Sequence, residues 1–268
     1  MRPLAAFAAG AAAAAVIVRE SRARRAAERF AGAALETLLN AVDANDAQTG
    51  AHVRRVAAYA LVIADAAGLD RRQRRTVEQV ALFHDIGKIH EALFDIVHDE
   101  TVLTPEARRA IATHPRRGAD VLAPLCGFYP ELAAGVLSHH ERWDGRGYPR
   151  GLRGRRIPLA ARVVTIADTF DAITHRRRYR TARGAQHAAN AIAAERGRQF
   201  DPELVDLVLL PPVWERIVNA HREAHRVTLA RPDRREGRRE RPVPQVKFRW
   251  RPAARESPAQ PPPSQTHR

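Results

Sequence analysis

Seven side chains in this sequence have the type and placement needed to hold metal ions: His52, His84, Asp85, His114, the adjacent pair His139 and His140, and Asp168. Imidazole and carboxylate together suit transition metals, and each of these residues stands within or at the end of a predicted helix. Helical bundles build metal sites in this way, from side chains that project inward from different helices. Singly, each has an ordinary explanation. A lone histidine on a helix is most often a satisfied surface or core residue, and a His-Asp dipeptide is common. Asp168, however, lies in "VVTIADTFDAI", a stretch that reads as buried. An unpaired carboxylate there is costly, so a metal or another cation is expected beside it. His90, His98, His175, His187, His221, His225 and His267 lack such surroundings and are read as ordinary histidines.

The run "HDIGK" (84–88) adds a lysine to a chain that hardly uses them. Arginine supplies all but two of the 45 Lys and Arg residues, the exceptions being Lys88 and Lys247. An ammonium gives up a proton far more readily than a guanidinium, so a lysine next to His84-Asp85 suggests proton chemistry as well as charge.

The elements that must position these groups are helical. "ALETLLNAVDA" and "HVRRVAAYALVIADAAGL" carry apolar residues three and four apart, the second ending at Gly68. Thr104 and Pro105 open the next helix, "PELAAGVLSHH" leads into a glycine-rich loop, "IPLAARVVTIADTFDAITH" follows, and Asp201 caps "DPELVDLVLL". No period-2 strand and no internal repeat is evident, so the fold class is all-α.

The ends differ from the middle. Residues 4–18 are uncharged and Ala-rich, and Arg19, Arg22, Arg24 and Arg25 follow. Fifteen residues fall short of a bilayer span, so residues 4–18 are either a membrane anchor or a plain leader helix. If they insert, the arginines behind them keep the remainder cytoplasmic. Beyond residue 230, eight of the 18 prolines and eleven basic residues crowd into a polar tail that is expected to be disordered. The net charge of +15 resides mostly in these two ends, which argues against a sequence-specific nucleic-acid reader. The single cysteine, Cys126, permits no internal disulfide and fits a reducing, cytoplasmic compartment. The expected organisation is a leader (1–29), a catalytic domain (30–230) and a basic tail (231–268).

Jointly, "TGAH" (49–52), "HDIGK" (84–88), "HP" (114–115), "HHERWDGRGYP" (139–149), "IADTFDAIT" (166–174) and "QFDPELVD" (199–206) resemble the HD-GYP family of HD-domain phosphohydrolases, in family order. The resemblance covers about residues 43–210. It implies a helical bundle around two divalent transition-metal ions, iron or manganese with zinc as a further option, and hydrolysis of a cyclic dinucleotide, usually the bacterial messenger cyclic di-GMP. Carried over by position, His52, His84, Asp85 and Asp168 hold one metal. Asp85 bridges to a second, held also by His114, His139 and His140. Lys88 is placed at the scissile phosphate or leaving oxygen. Arg146, Tyr148, Arg177 and Arg180 fall at substrate-binding positions. Arg142, Arg150, Arg153, Arg155 and Arg156 surround the same loop and fit an anionic ligand. The partners implied are thus a cyclic dinucleotide and, through residues 4–18, a membrane surface. A homodimer is left open.

Three departures bear on that reading. Gln48 stands where some members carry a glutamate for a third metal, which favours two ions. The stretch "IHEALFDIVHDETVLTPE" after Lys88 lacks the family's usual elements, and Arg178 replaces a common proline. Hydrolysis of another nucleotide, and a cyclic di-GMP-binding module without turnover, stay open as alternatives.

Overall fold

The computed structural model describes residues 2–89, 104–175 and 184–230, with side chains in the first helix from Val18 onward. Ten α-helices run through these residues: α1 (Arg2–Asn45), α2 (Ala47–Ala66), α3 (Arg71–Phe83), α4 (Pro105–Ile111), α5 (His114–Leu122), α6 (Leu132–Ser138), α7 (Leu159–Thr174), α8 (Ala185–Ala194), α9 (Pro202–Val208) and α10 (Pro211–Ala230). No strand forms among the described residues. The nearest approach to one is an isolated bridge between Arg196 and Phe200. The expected all-α class is therefore observed.

Local chemistry sets the helix ends. Asp46 caps α2 by accepting from the backbone N–H groups of Gln48 and Thr49 at 2.9 and 3.1 Å. Asp70 and Gln73 form a reciprocal capping box at the start of α3. Gly68 takes φ +66° to turn the chain between the two helices. A cap of this kind contributes about 1 kcal/mol.

Helix α2 packs against α3 and α7, and α3 also packs against α6 and α7. Val53, Val56, Ile63, Val77, Val80, Val163, Val164, Ile166 and Phe170 are among the buried residues of this core. Among the described side chains of α1, those buried begin at Ala31 and include Leu35 and Val42, while Phe30 is exposed. The helix runs without a break through residue 29, where the sequence suggests that a leader ends. Among the described residues, no helix is long and apolar enough to cross a membrane. The tail from residue 231 lies outside the described residues, as do Arg177, Arg178, Arg180 and most of the stretch after Lys88.

Candidate metal centre

All seven expected ligand residues converge. Two groups form, His52 with His84 and Asp85, and His114 with His139 and His140. Within each group the potential ligand atoms lie within 4.8 Å of one another. Asp85 connects the groups through its two oxygens. Oδ2 faces His84 Nε2 at 3.5 Å and His52 Nε2 at 3.8 Å, while Oδ1 faces His114 Nε2 at 3.3 Å. Asp168 joins the first group, with Oδ1 3.3 Å from His52 Nε2.

The backbone selects which ring nitrogen points inward. His84, His114 and His139 each donate Nδ1–H to the carbonyl three residues earlier, those of Ala81, Ile111 and Val136, at 2.8, 2.7 and 2.6 Å. A carbonyl only accepts, so Nδ1 must carry a proton, and in the neutral ring Nε2 presents the lone pair. These carbonyls lie in the last turns of α3, α4 and α6, where no helical N–H claims them. With both rings neutral, the Nε2 atoms of His114 and His139 face each other at 3.1 Å with lone pairs on both. Two such lone pairs repel unless a cation lies between them. His84 Nε2 is also buried, without a hydrogen-bond partner. Both observations fit a bound metal ion.

Electrostatics separates the groups. Burial, together with the neighbouring His140 and His84, holds His139 well below the usual imidazole range, and burial beside His114 lowers His140 to about 4. Burial likewise lowers His84. Those rings are neutral and ready to ligate. His52 behaves in the opposite way. Burial disfavours its charge, but Asp168 and Asp171 overcome that and raise it to about 9. For Asp85, burial opposes ionisation, yet Lys88, His84 and His114 hold its carboxyl well below the usual range.

Glycine allows the close packing of "HDIGK". A Cβ on Gly87 would lie 2.1 Å from the His114 carbonyl oxygen and 2.7 Å from Gly118 N, so the Ile86–Ile89 turn rests backbone to backbone on α5. Lys88 emerges from that turn with Nζ 2.7 Å from Asp85 Oδ2. Gly147 serves the second loop, since a Cβ there would lie 2.3 Å from Arg142 N. Tyr148 then stacks on His140, with ring centroids 4.9 Å apart. Its phenol is pushed up to about 12 by burial and by Asp85 and Asp168.

Several expectations need correction. Asp168 is a quarter exposed at its side chain, whereas Asp171, one turn later, is the buried carboxylate of that helix at 1 %. Burial was the reason for singling out Asp168, and it applies to Asp171. Three of the six arginines of the loop are engaged by the protein itself. Arg142 pairs with Asp144 and Glu195, Arg150 donates to Ser138, and Arg155 pairs with Glu203. Arg146, Arg153 and Arg156 are exposed.

Sequence reasoning also missed supporting residues. Asp171 accepts from His52 Nδ1 at 2.7 Å and from Arg55 at 2.8 and 3.0 Å, with His175 Nδ1 3.1 Å away. Glu141 is buried and accepts from the backbone N–H groups of Arg150 and Leu152, pinning the Gly-Tyr-Pro loop beside His140. The signals were a second acid in an apolar helix and an arginine three residues after His52.

Comparison with known proteins agrees with this geometry. The HD domain family matches residues 36–204. The chain is 38% identical over 177 residues to the cyclic di-GMP phosphodiesterase response regulator RpfG of Xanthomonas campestris pv. campestris, covering 65% of this chain and 46% of that protein. It is 36% identical over 177 residues to the 3'3'-cGAMP-specific phosphodiesterase 2 of Vibrio cholerae, covering 64% and 33%. The chain thus spans half or less of the length of these curated relatives. Among solved structures, a cyclic GMP-AMP specific phosphodiesterase of V. cholerae shares the fold. Its TM-score is 0.53 at 23% identity, over 74% of this chain and 53% of that one.

Proposed function

This chain belongs to the HD domain family and carries the Gly-Tyr-Pro run of its HD-GYP branch, and from that premise we propose that it is a metal-dependent phosphodiesterase acting on a cyclic dinucleotide. The observation that carries this reading is the pair of ligand groups joined through the two oxygens of Asp85. The donor set suits iron or manganese, with zinc as a further option, better than magnesium. Two such ions, when bound, would supply Lewis-acid neutralisation of the phosphodiester and lower the pKa of an attacking water.

The protein's own groups would do the rest. Asp85 holds the Lys88 ammonium at the metal centre, where it can meet a phosphate or protonate a leaving oxygen. Tyr148, protonated and stacked on His140, offers a hydroxyl and a ring face at the rim. Arg146, exposed two residues earlier, is proposed as a cation for the anionic ligand. Arg177 and Arg180 are proposed in the same role from their sequence positions alone. The arginines that follow residues 4–18 are proposed to contact anionic lipid. Fractionation of a chain lacking residues 1–30 tests that part, and an unchanged distribution would refute it.

Cyclic di-GMP is the substrate proposed, with 3'3'-cGAMP as the rival to assay in parallel because one of the similar proteins is named for it. The test is turnover of both by the purified, metal-loaded chain before and after chelation, with elemental analysis. Chelation-sensitive hydrolysis with about two ions bound supports the reading. Hydrolysis in protein that contains no iron, manganese or zinc sinks it. Tight binding without turnover would make the chain a cyclic dinucleotide receptor instead.

A further inference from the structure

Four ligand histidines expose Nε2 to the centre, but they do not share one means of support. His84, His114 and His139 rest on free carbonyls at helix C-termini. His52 cannot. It lies in the second turn of α2, where the preceding carbonyls are committed to the helix ladder, so its Nδ1 needs a partner from elsewhere in the fold. The partner is Asp171 of α7, at 2.7 Å. We propose that Asp171 is the positioning carboxylate of the His52 metal group, setting the tautomer and ring angle of His52, and that Arg55 and His175 exist to fix Asp171.

The surroundings favour this role over a plain buried ion pair. Arg55 binds both Asp171 oxygens with two nitrogens, which fixes the plane of the carboxylate. Oδ2 accepts from His52 as well, while Oδ1 faces His175. Behind His175 stands His221 of α10, with ring centroids 4.8 Å apart, and His221 Nδ1 is 3.2 Å from the Tyr59 hydroxyl. The chain of contacts therefore runs from the metal group to α10. A pair needed only to join α2 to α7 would not require its acid to face the Nδ1 of a ligand. A carboxylate partner also makes His52 a more basic donor than its carbonyl-bound neighbours, which helps it hold an ion.

The inference rests on the metal-binding part of the reading above and not on the substrate. The experiment titrates zinc and manganese into the metal-free chain and its Asp171→Asn variant, reading the number of ions and each affinity. The expected result is one ion weakened by about 10–100-fold with the other unchanged. Equal affinities in parent and variant, or equal loss at both sites, would overturn the proposal and leave Asp171 a structural pair. A parent that binds no second ion would count against the proposed function instead. Should Asp171→Asn fail to fold, imidazole nitrogen NMR of the parent decides. His52 Nδ1 must carry the proton, and that proton must be more deshielded than those of His84, His114 and His139. An Nε2-protonated, metal-free tautomer of His52 in the loaded protein overturns the proposal.

Discussion

The two ligand groups of this centre are built on different principles. The His114, His139 and His140 group is made of imidazoles alone, two of them aimed by the backbone of the helices that end beside them. The His52, His84 and Asp85 group is surrounded by acids, and its His52 depends on α7 for orientation. The ring orientations of His114 and His139 are thus set by nearby backbone, while the packing of α5 on α6 brings the two rings together. The second group exists only once α2 and α7 have docked. The contrast teaches that one candidate metal centre can combine rings aimed by their own backbone with a ring aimed by a carboxylate from a distant helix.

Asp85 is where the comparison should break most severely, since its two oxygens serve both halves. Asp85→Ala is expected to abolish binding of both ions and reduce turnover to background, which metal analysis with a sensitive product assay will show. It also strips Lys88 of its partner. Retention of one ion at parental affinity would mean that the imidazole group is independent of Asp85.

Lys88 gives the next largest effect. If it delivers or steers a proton, Lys88→Arg keeps the charge and the metals yet lowers kcat by about 10²–10⁴. If it only attracts phosphate, arginine substitutes with a modest rise in KM. Comparing kcat and KM of the arginine and alanine variants at matched metal content separates the two. Near-parental turnover by the arginine variant would remove Lys88 from the proton chemistry and leave its presence in "HDIGK" without a chemical reason.

Legibility in the sequence followed the same division. The helices were readable because their signals are local, as with the Asp70–Gln73 box and the 3–4 spacing of α2. The seven candidate ligands were readable because the resemblance rests on fixed short motifs. Burial of a particular acid was not, because Asp168 and Asp171 share one apolar run, and only the docking of α2 decides which of them is covered. The arginines misled for a related reason. Sequence places Arg142 and Arg155 beside the glycine-rich loop but cannot show that Glu195 and Glu203, some fifty residues later, come back to neutralise them. Glu141 was likewise invisible as a loop anchor, since its partners are backbone N–H groups.

The smallest expected effect for a single pH step is also the sharpest test of the contrast, because it reads both halves in one experiment. In the metal-free protein His52 titrates near 9, held up by Asp168 and Asp171 against burial, so an ion must displace a proton from it. His140 titrates near 4 and burial holds His139 well below the usual imidazole range, so those two rings impose no such competition at neutral pH. Apparent affinity at the His52 group should therefore rise with pH by up to about tenfold per unit below pH 9, and then level off. The imidazole group should respond less steeply. Metal-free stability carries the opposite sign. A histidine whose folded pKa exceeds its unfolded 6.5 stabilises fully below that value, and the contribution is lost as pH rises through about 9. Raising the pH should thus weaken the metal-free fold while tightening the His52 ion. Metal titrations and thermal melts of the chelated chain at pH 6, 7, 8 and 9 measure both trends. Parallel pH dependence at the two sites would show that the acids around His52 do not distinguish it from the imidazole group.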